Sequence, residues 1–177
     1  MIHPLLLRSV FTGCIVAFER FSEMPAARKP ALPNPPEQMR LYREFLGLTQ
    51  SQFAAELRTT STSVSRWESG VTPISMMTMA HACKLVTARV QEEIKQLFKE
   101  LHPRLTISRY AALVGHPEAR FTQDRDGRLY LGSVFIDGGY RKHVLYLRVE
   151  DRKWYGLDQD EKASSVDGEF LRQVIAS

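Results

Sequence analysis

Cysteine is scarce in this chain: Cys14 and Cys83 are the only two among 177 residues. They have neither CxxC spacing nor a histidine pair at zinc-ligand distance, so a disulfide framework and a thiolate metal site are both excluded. They read as isolated thiols in a reducing compartment. Long apolar runs are also missing. The run over residues 10–18 is too short to span a bilayer, and a single basic residue precedes it, which argues against a signal peptide. The first 23 residues are expected to be a disordered or weakly helical extension, with Met24 or Met39 as the working start. A cytoplasmic protein without membrane contact is the expectation. Charge of one sign is not concentrated either: the net charge is +4, and no region exceeds +2. Without a polybasic tail, any affinity for nucleic acid has to come from a few placed contacts, with a moderate salt dependence.

Catalytic patterns are absent too. There is no Gly-x-Ser-x-Gly elbow, no phosphate-binding glycine loop and no paired-carboxylate arrangement beyond ordinary surface charge. His102, His116 and His143 are scattered. Asp124-Arg125-Asp126-Gly127 starts like a calcium loop but lacks the third acidic ligand and the closing Glu, so it reads as a turn. Glu92-Glu93 and residues 158–161 read as solvated faces. No enzyme activity, cofactor or metal is expected.

What the chain does have is a stretch over residues 48–70, LTQSQFAAELRTTSTSVSRWESG. Thr49 is a good N-cap, and Phe53, Ala54 and Leu57 follow at helical spacing along one face. Arg58-Thr59-Thr60 interrupts the pattern, and a second helix starts behind Thr60. On that helix Val64 and Trp67 point to one side, while Thr62, Ser65, Arg66 and Ser69 point away. An outward face of short hydroxyls and one guanidinium packs poorly against a core. It suits the floor of a DNA major groove, where such groups reach base edges.

These residues, L-T-Q-x-x-F-A-x-x-L followed by a hydroxyl-rich helix and S-R-W-E-x-G, resemble the helix-turn-helix of the phage Cro and cI repressors and the bacterial regulators of the XRE family. The resemblance extends from about residue 37 to 85. It implies that the second helix, residues 61–69, enters the major groove with Ser61, Thr62, Ser65 and Arg66 in base-reading positions. Gln50, Arg58, Thr60 and Ser69 are then placed to meet phosphates, with Gln50 also bracing the second helix and Thr60 serving mainly as its cap. It also implies an ion pair between Arg43 and Glu68. One departure is visible: the turn usually carries Gly, for which positive φ is cheap, and here it carries Arg58.

Around this unit the fold class expected is α+β. An all-α, five-helix, lambda-repressor-like domain would be followed by a small antiparallel β-meander domain with flanking helices. Residues 1–35 are an extension that ends in a linker, five of whose residues between 25 and 36 are proline. Arg28 and Lys29 there could form a DNA-seeking arm, or the segment is a plain tether. Residues 36–86 form the DNA-binding domain. Its first helix starts after Pro36, carries Met39, Tyr42, Phe45 and Leu46 inward, and ends at Gly47. Its fourth starts at Thr72-Pro73, with Ile74, Met77, Met79, Ala80 and Cys83 closing the core.

A connecting or dimerisation helix is expected over residues 87–102, capped by Thr87, with Val90, Ile94, Leu97, Phe98 and Leu101 in one stripe. A stripe this regular must bury against either a second copy of the chain or its own C-terminal half. In residues 103–177 a short helix over 106–114 precedes four strands at 119–123, 129–137, 140–150 and 153–157, separated by Asp-Gly, Gly-Gly and Asp-Arg turns. Leu129, Leu131, Val134, Ile136, Val144, Tyr146, Val149 and Trp154 are the expected buried set, and a helix after Val166 would cover the sheet. A basic, aromatic edge around Tyr140, Arg141, Lys142, Tyr146 and Arg148 could touch nucleic acid or a protein.

The function implied is sequence-specific binding of double-stranded DNA by a homodimer on an inverted-repeat operator, as a repressor of its own or a neighbouring operon. The alternative is an antitoxin or other autoregulator whose residues 103–177 bind a partner protein. A ligand- or RNA-responsive C-terminal switch is the third reading.

Overall fold

The computed structural model describes residues 31–137 and 142–176. The expectations for the N-terminal extension, for the Gly138-Gly139 turn and for Tyr140 and Arg141 lie outside these residues. Helix α1 (Pro35–Leu46) begins where Asn34 accepts a hydrogen bond from the Glu37 amide at 3.0 Å. It ends at Gly47, whose φ of 70° lets the amide turn back onto the Arg43 and Glu44 carbonyls. Helices α2 (Gln50–Glu56) and α3 (Ser61–Glu68) follow, each behind a threonine cap. The α2 cap is reciprocal: the Gln52 amide donates to the Thr49 hydroxyl at 3.2 Å, and the Gln52 side-chain oxygen accepts from the Thr49 amide at 2.9 Å.

Helix α4 (Met76–Leu101) corrects the expected division into a fourth and a fifth helix. Ser75, not Thr72, is its N-cap. It runs past Thr87 without a break because residues 76–101 contain neither Gly nor Pro. The Thr87 hydroxyl does not cap anything; it accepts the Ala119 amide at 3.2 Å. The later start also changes the phase of the inward face. Met77 is 81% exposed and Ala80 is exposed, whereas Ala82, Val86, Val90, Ile94 and Phe98 are almost wholly buried.

The second half is a short helix α5 (Ile107–Leu113), five strands and a last helix α6 (Gly168–Ala176). The strands β1 (Glu118–Gln123), β2 (Leu129–Asp137), β3 (Lys142–Arg148), β4 (Trp154–Leu157) and β5 (Ala163–Ser165) form one antiparallel sheet in the order 1-2-3-4-5. The expected meander is present with a fifth, three-residue strand added at its edge. One assignment within it is corrected. On β3 the buried residues are Leu145 and Leu147, while Val144 is 40% exposed and Tyr146 half-buried. The segment His143-Val144-Leu145-Tyr146-Leu147 is apolar at nearly every position, so its alternation could not say which set faces inward.

The stripe on α4 finds its cover inside the chain. Val86, Val90, Ile94 and Phe98 join one continuous core with Leu131, Val134, Ile136, Leu145 and Leu147 of the sheet and with Met39, Phe53 and Val64 of the N-terminal helices. The close approach of α4 to β2 occurs at Gly132, which sits at φ 91° in a bulge between Tyr130 and Ser133. A Cβ there would lie 2.7 Å from a Val90 methyl. Contact between the halves also includes the Tyr42 ring stacked on Phe121 at 5.4 Å.

The strand residues that alternate with this core carry a polar, aromatic cluster. Tyr130 is buried and donates to Asp124 at 2.8 Å, and the rings of Tyr146 and Tyr155 meet it edge-on. Burial, together with the Asp124 carboxylate, pushes the Tyr130 hydroxyl well above its usual pKa. Asp124 also accepts the Arg128 amide at 2.9 Å, so its role is to close the β1–β2 turn. Asp151 binds both the Nε and the Nη2 of Arg148, the Tyr155 hydroxyl and the Lys153 amide, and these hydrogen bonds, led by those of Arg148, hold its carboxyl far below the ordinary range.

Two outcomes follow. Gly132→Ala should destabilise the chain by about 2–4 kcal/mol in a denaturant titration, from overpacking against Val90 plus a strained positive φ, and pairing it with Val90→Ala should recover part of the loss. Because the folded pKa of Asp151 is depressed, its contribution is present above the ordinary carboxylate pKa and fades as the pH falls toward the folded value. Asp151→Asn should therefore be less stable than the wild type at neutral pH, with the gap narrowing below about pH 4.

Candidate nucleic-acid interface

The two helices α2 and α3 are set at an angle by a turn through Arg58, whose φ is +56°. This is the left-handed conformation that the missing glycine would have supplied, at a cost of roughly 1 kcal/mol for a residue with a Cβ. Phe53, Ala54 and Leu57 are buried beneath α2, and Val64 is fully buried beneath α3, with Trp67 half-buried beside it. The opposite side of α3 is bare: Ser61, Thr62, Ser65, Arg66 and Ser69 are all exposed. One helix thus buries a single residue completely and presents four hydroxyls and a guanidinium to solvent.

The inward end of α3 is held by Glu68. Arg43 on α1 donates from Nε to Glu68 Oε1 at 2.6 Å and from Nη2 to Oε2 at 3.2 Å, and from Nη1 to the Leu48 carbonyl at 3.1 Å. Both side chains are shielded, with 16% of Arg43 and 7% of Glu68 accessible. The hydrogen bonds to Glu68 raise the Arg43 pKa further above its already high value. Gln50, the first residue of α2, donates its side-chain amide to Glu68 Oε2 at 2.9 Å. One carboxylate therefore ties three helices, and the second N–H of the Gln50 amide has no partner among the described residues. Since a phosphate oxygen only accepts, this is the hydrogen Gln50 has to offer it.

The remaining site residues separate by what they already hold. The Thr60 hydroxyl accepts the Ser63 amide at 3.2 Å and shares a hydrogen bond with the Ser63 hydroxyl. Ser69 donates to the Ser65 and Arg66 carbonyls at 2.8 and 3.2 Å. Both hydroxyls are committed to the ends of α3. Arg58 and Arg66 are exposed, and neither guanidinium has a hydrogen-bond or ion-pair partner among the described residues. A free guanidinium on a helix face of short hydroxyls can bind a base edge or a phosphate with no internal bond to break.

Two residues that reach this unit from the other half were not legible in the sequence. Arg152, in the β3–β4 turn, donates from Nη1 to the Phe45 carbonyl at 2.8 Å and pairs through Nη2 with Glu93 of α4. Glu93, expected on a solvated face, is instead only 21% accessible and also binds Arg89 at 3.1 Å. No local signal marks the contacts of Arg152, since its partners Glu93 and Phe45 lie 59 and 107 positions away in the sequence. Among the described residues no group of three or more His, Cys, Asp or Glu is placed to hold a metal ion, and no helix is long and apolar enough to cross a membrane.

Removing Arg43 leaves the shielded Glu68 carboxylate with the neutral Gln50 amide in place of a cation. Arg43→Ala should accordingly cost about 3 kcal/mol of stability, measurable by urea denaturation.

Residues 39–81 match the family model described as helix-turn-helix, a segment that runs from the middle of α1 into the first turns of α4. No curated protein and no solved structure matches the chain. The matched segment contains the Arg58 turn, the exposed face of α3 and the Arg43–Glu68–Gln50 lock. This part of the chain is a Cro/cI-type helix-turn-helix domain, the DNA-binding unit of XRE-family transcription regulators.

Proposed function

We propose that the chain is a sequence-specific transcriptional repressor that reads an operator as a dimer, with α3 in the major groove. The observation that carries this reading is the outer face of α3, where Ser61, Thr62, Ser65 and Arg66 stand exposed on a helix whose inner side is locked by Val64 and Glu68. Arg66 supplies the strongest base contact, its fork matching the O6 and N7 acceptors of guanine. Ser61, Thr62 and Ser65 reach neighbouring base edges. Gln50, through its free amide hydrogen, and Arg58, in the turn, meet the phosphates that flank the site. Thr60 and Ser69 stabilise the ends of α3, and either would reach a phosphate, which only accepts, by turning its hydroxyl hydrogen outward.

A second copy cannot use the stripe on α4, which the chain's own sheet covers. Val71 and Met76 and Met77, in the loop and first turn after α3, are 66%, 88% and 81% exposed and are offered instead as the apolar surface for the partner. Two copies joined there would set two α3 helices on half-sites related by two-fold symmetry. With a net charge of only +4, discrimination would rest on these contacts more than on bulk attraction.

The reading is tested with Arg66→Ala on the duplex that the wild type enriches from a random-sequence library. Affinity should fall by roughly 1–3 kcal/mol with relaxed preference at one base pair. An equal loss on every sequence would show Arg66 to be a phosphate clamp. A footprint spanning one unrepeated half-site, with a monomer in sedimentation, would overturn the dimer.

A further inference from the structure

We infer that Arg152, which belongs to the C-terminal sheet, is a positioning residue for DNA reading by α3. The inference rests on the reading of α3 as the DNA-contacting helix. Arg152 stands at φ +54° in the β3–β4 turn, a position where Gly or Asn would be the easier choice. The turn around it is built tightly. The Arg152 amide donates to the Arg148 carbonyl at 3.0 Å, and the Arg148 amide to the Lys153 carbonyl at 2.9 Å. Asp151 clamps Arg148, Lys153 and Tyr155 together beside it. A turn held this way has few alternatives, so it presents the Arg152 side chain in a fixed direction.

That direction is toward the last turn of α1. Nη1 donates to the Phe45 carbonyl at 2.8 Å, and the guanidinium carbon lies 4.7 Å from the centre of the Phe45 ring. A cation at a helix C-terminus satisfies an orphan carbonyl and opposes the negative end of the helix dipole. Nη2 is held by Glu93 of α4, which fixes the other side of the fork. Phe45 is two residues from Arg43, and Arg43 holds Glu68 at the end of α3 as well as the Leu48 carbonyl at the start of the α1–α2 loop. Contact therefore runs without a gap from the sheet through Arg152 and α1 to α3. Releasing Arg152 frees the last turn of α1 and lets the Arg43–Glu68 fork, and with it the tilt of α3, adopt more than one arrangement.

The inference separates cleanly from a general electrostatic effect, because the Glu93 side of the fork has the opposite charge. Removing a negative charge from a DNA-binding protein ordinarily strengthens binding. Glu93→Gln should weaken it.

The experiment compares the full-length wild type with Arg152→Ala and Glu93→Gln on two probes: the duplex enriched by the wild type and a scrambled duplex of the same length. It is run across a salt series at a temperature where each variant is folded by circular dichroism. Both variants should bind the enriched duplex roughly three- to tenfold more weakly, with affinity for the scrambled duplex and the salt slope unchanged. Wild-type affinity for the enriched duplex in either folded variant would overturn the inference. So would an equal loss on both duplexes with a shallower salt slope in Arg152→Ala, which would make Arg152 a phosphate contact. If Arg152→Ala does not fold, Glu93→Gln decides alone. Failure of the wild type to enrich any duplex would instead remove the reading of α3 itself.

Discussion

Everything in this molecule is built on one apolar stripe. Ala82, Val86, Val90, Ile94 and Phe98 repeat every four residues along α4, and they are buried from end to end. Water would exact about 2 kcal/mol for each large side chain left exposed, so the stripe must be covered along its whole length. The DNA-binding helices cover its beginning and the sheet covers the rest, within one continuous core. This constraint explains Gly132, the point where β2 comes too near Val90 for a side chain. It also explains why the two halves touch side by side, through Tyr42 on Phe121 and Cys83 near the Ala119 carbonyl.

The polar contacts follow from that arrangement. Once α1 lies beside the sheet, its C-terminal carbonyls lie within reach of a sheet turn, and Arg152 satisfies one of them. Arg43, at the same end of α1, meets Glu68, and Gln50 completes the carboxylate's partners. Each of these charges sits in a partly dry environment where an unpaired group would be costly, and each has its partner. Outside this network, beside the hydroxyl face of α3, the guanidinium groups of Arg58 and Arg66 have no partner among the described residues. The helix is thus rigid on the side that faces the protein and uncommitted on the side that faces outward.

The helix-turn-helix was readable because local rules decide it. Thr49 and Thr60 cap helices through their own side chains, the polar and apolar sides of α3 differ sharply, and a tight turn needs positive φ wherever Arg58 stands. The four longer strands were readable from alternation and turn residues for the same reason. The rest depended on distant partners. The phase of β3 was ambiguous because Val144, Leu145, Tyr146 and Leu147 are all apolar or aromatic, and only burial in the shared core selects Leu145 and Leu147. The unbroken α4 hid behind a threonine that looks like a cap but serves the Ala119 amide. Strand β5 is three residues long and exists by pairing with β4. Arg152 and Glu93 carry no local sign of their roles.

The most direct measurement is selection of binding sites by the full-length protein from a library of random double-stranded DNA, followed by sequencing. Enrichment of an inverted repeat, with half-site centres about one helical turn apart, is the expected result. A pool that stays random after repeated rounds at physiological salt would contradict the assignment of α3 as a reader of DNA sequence.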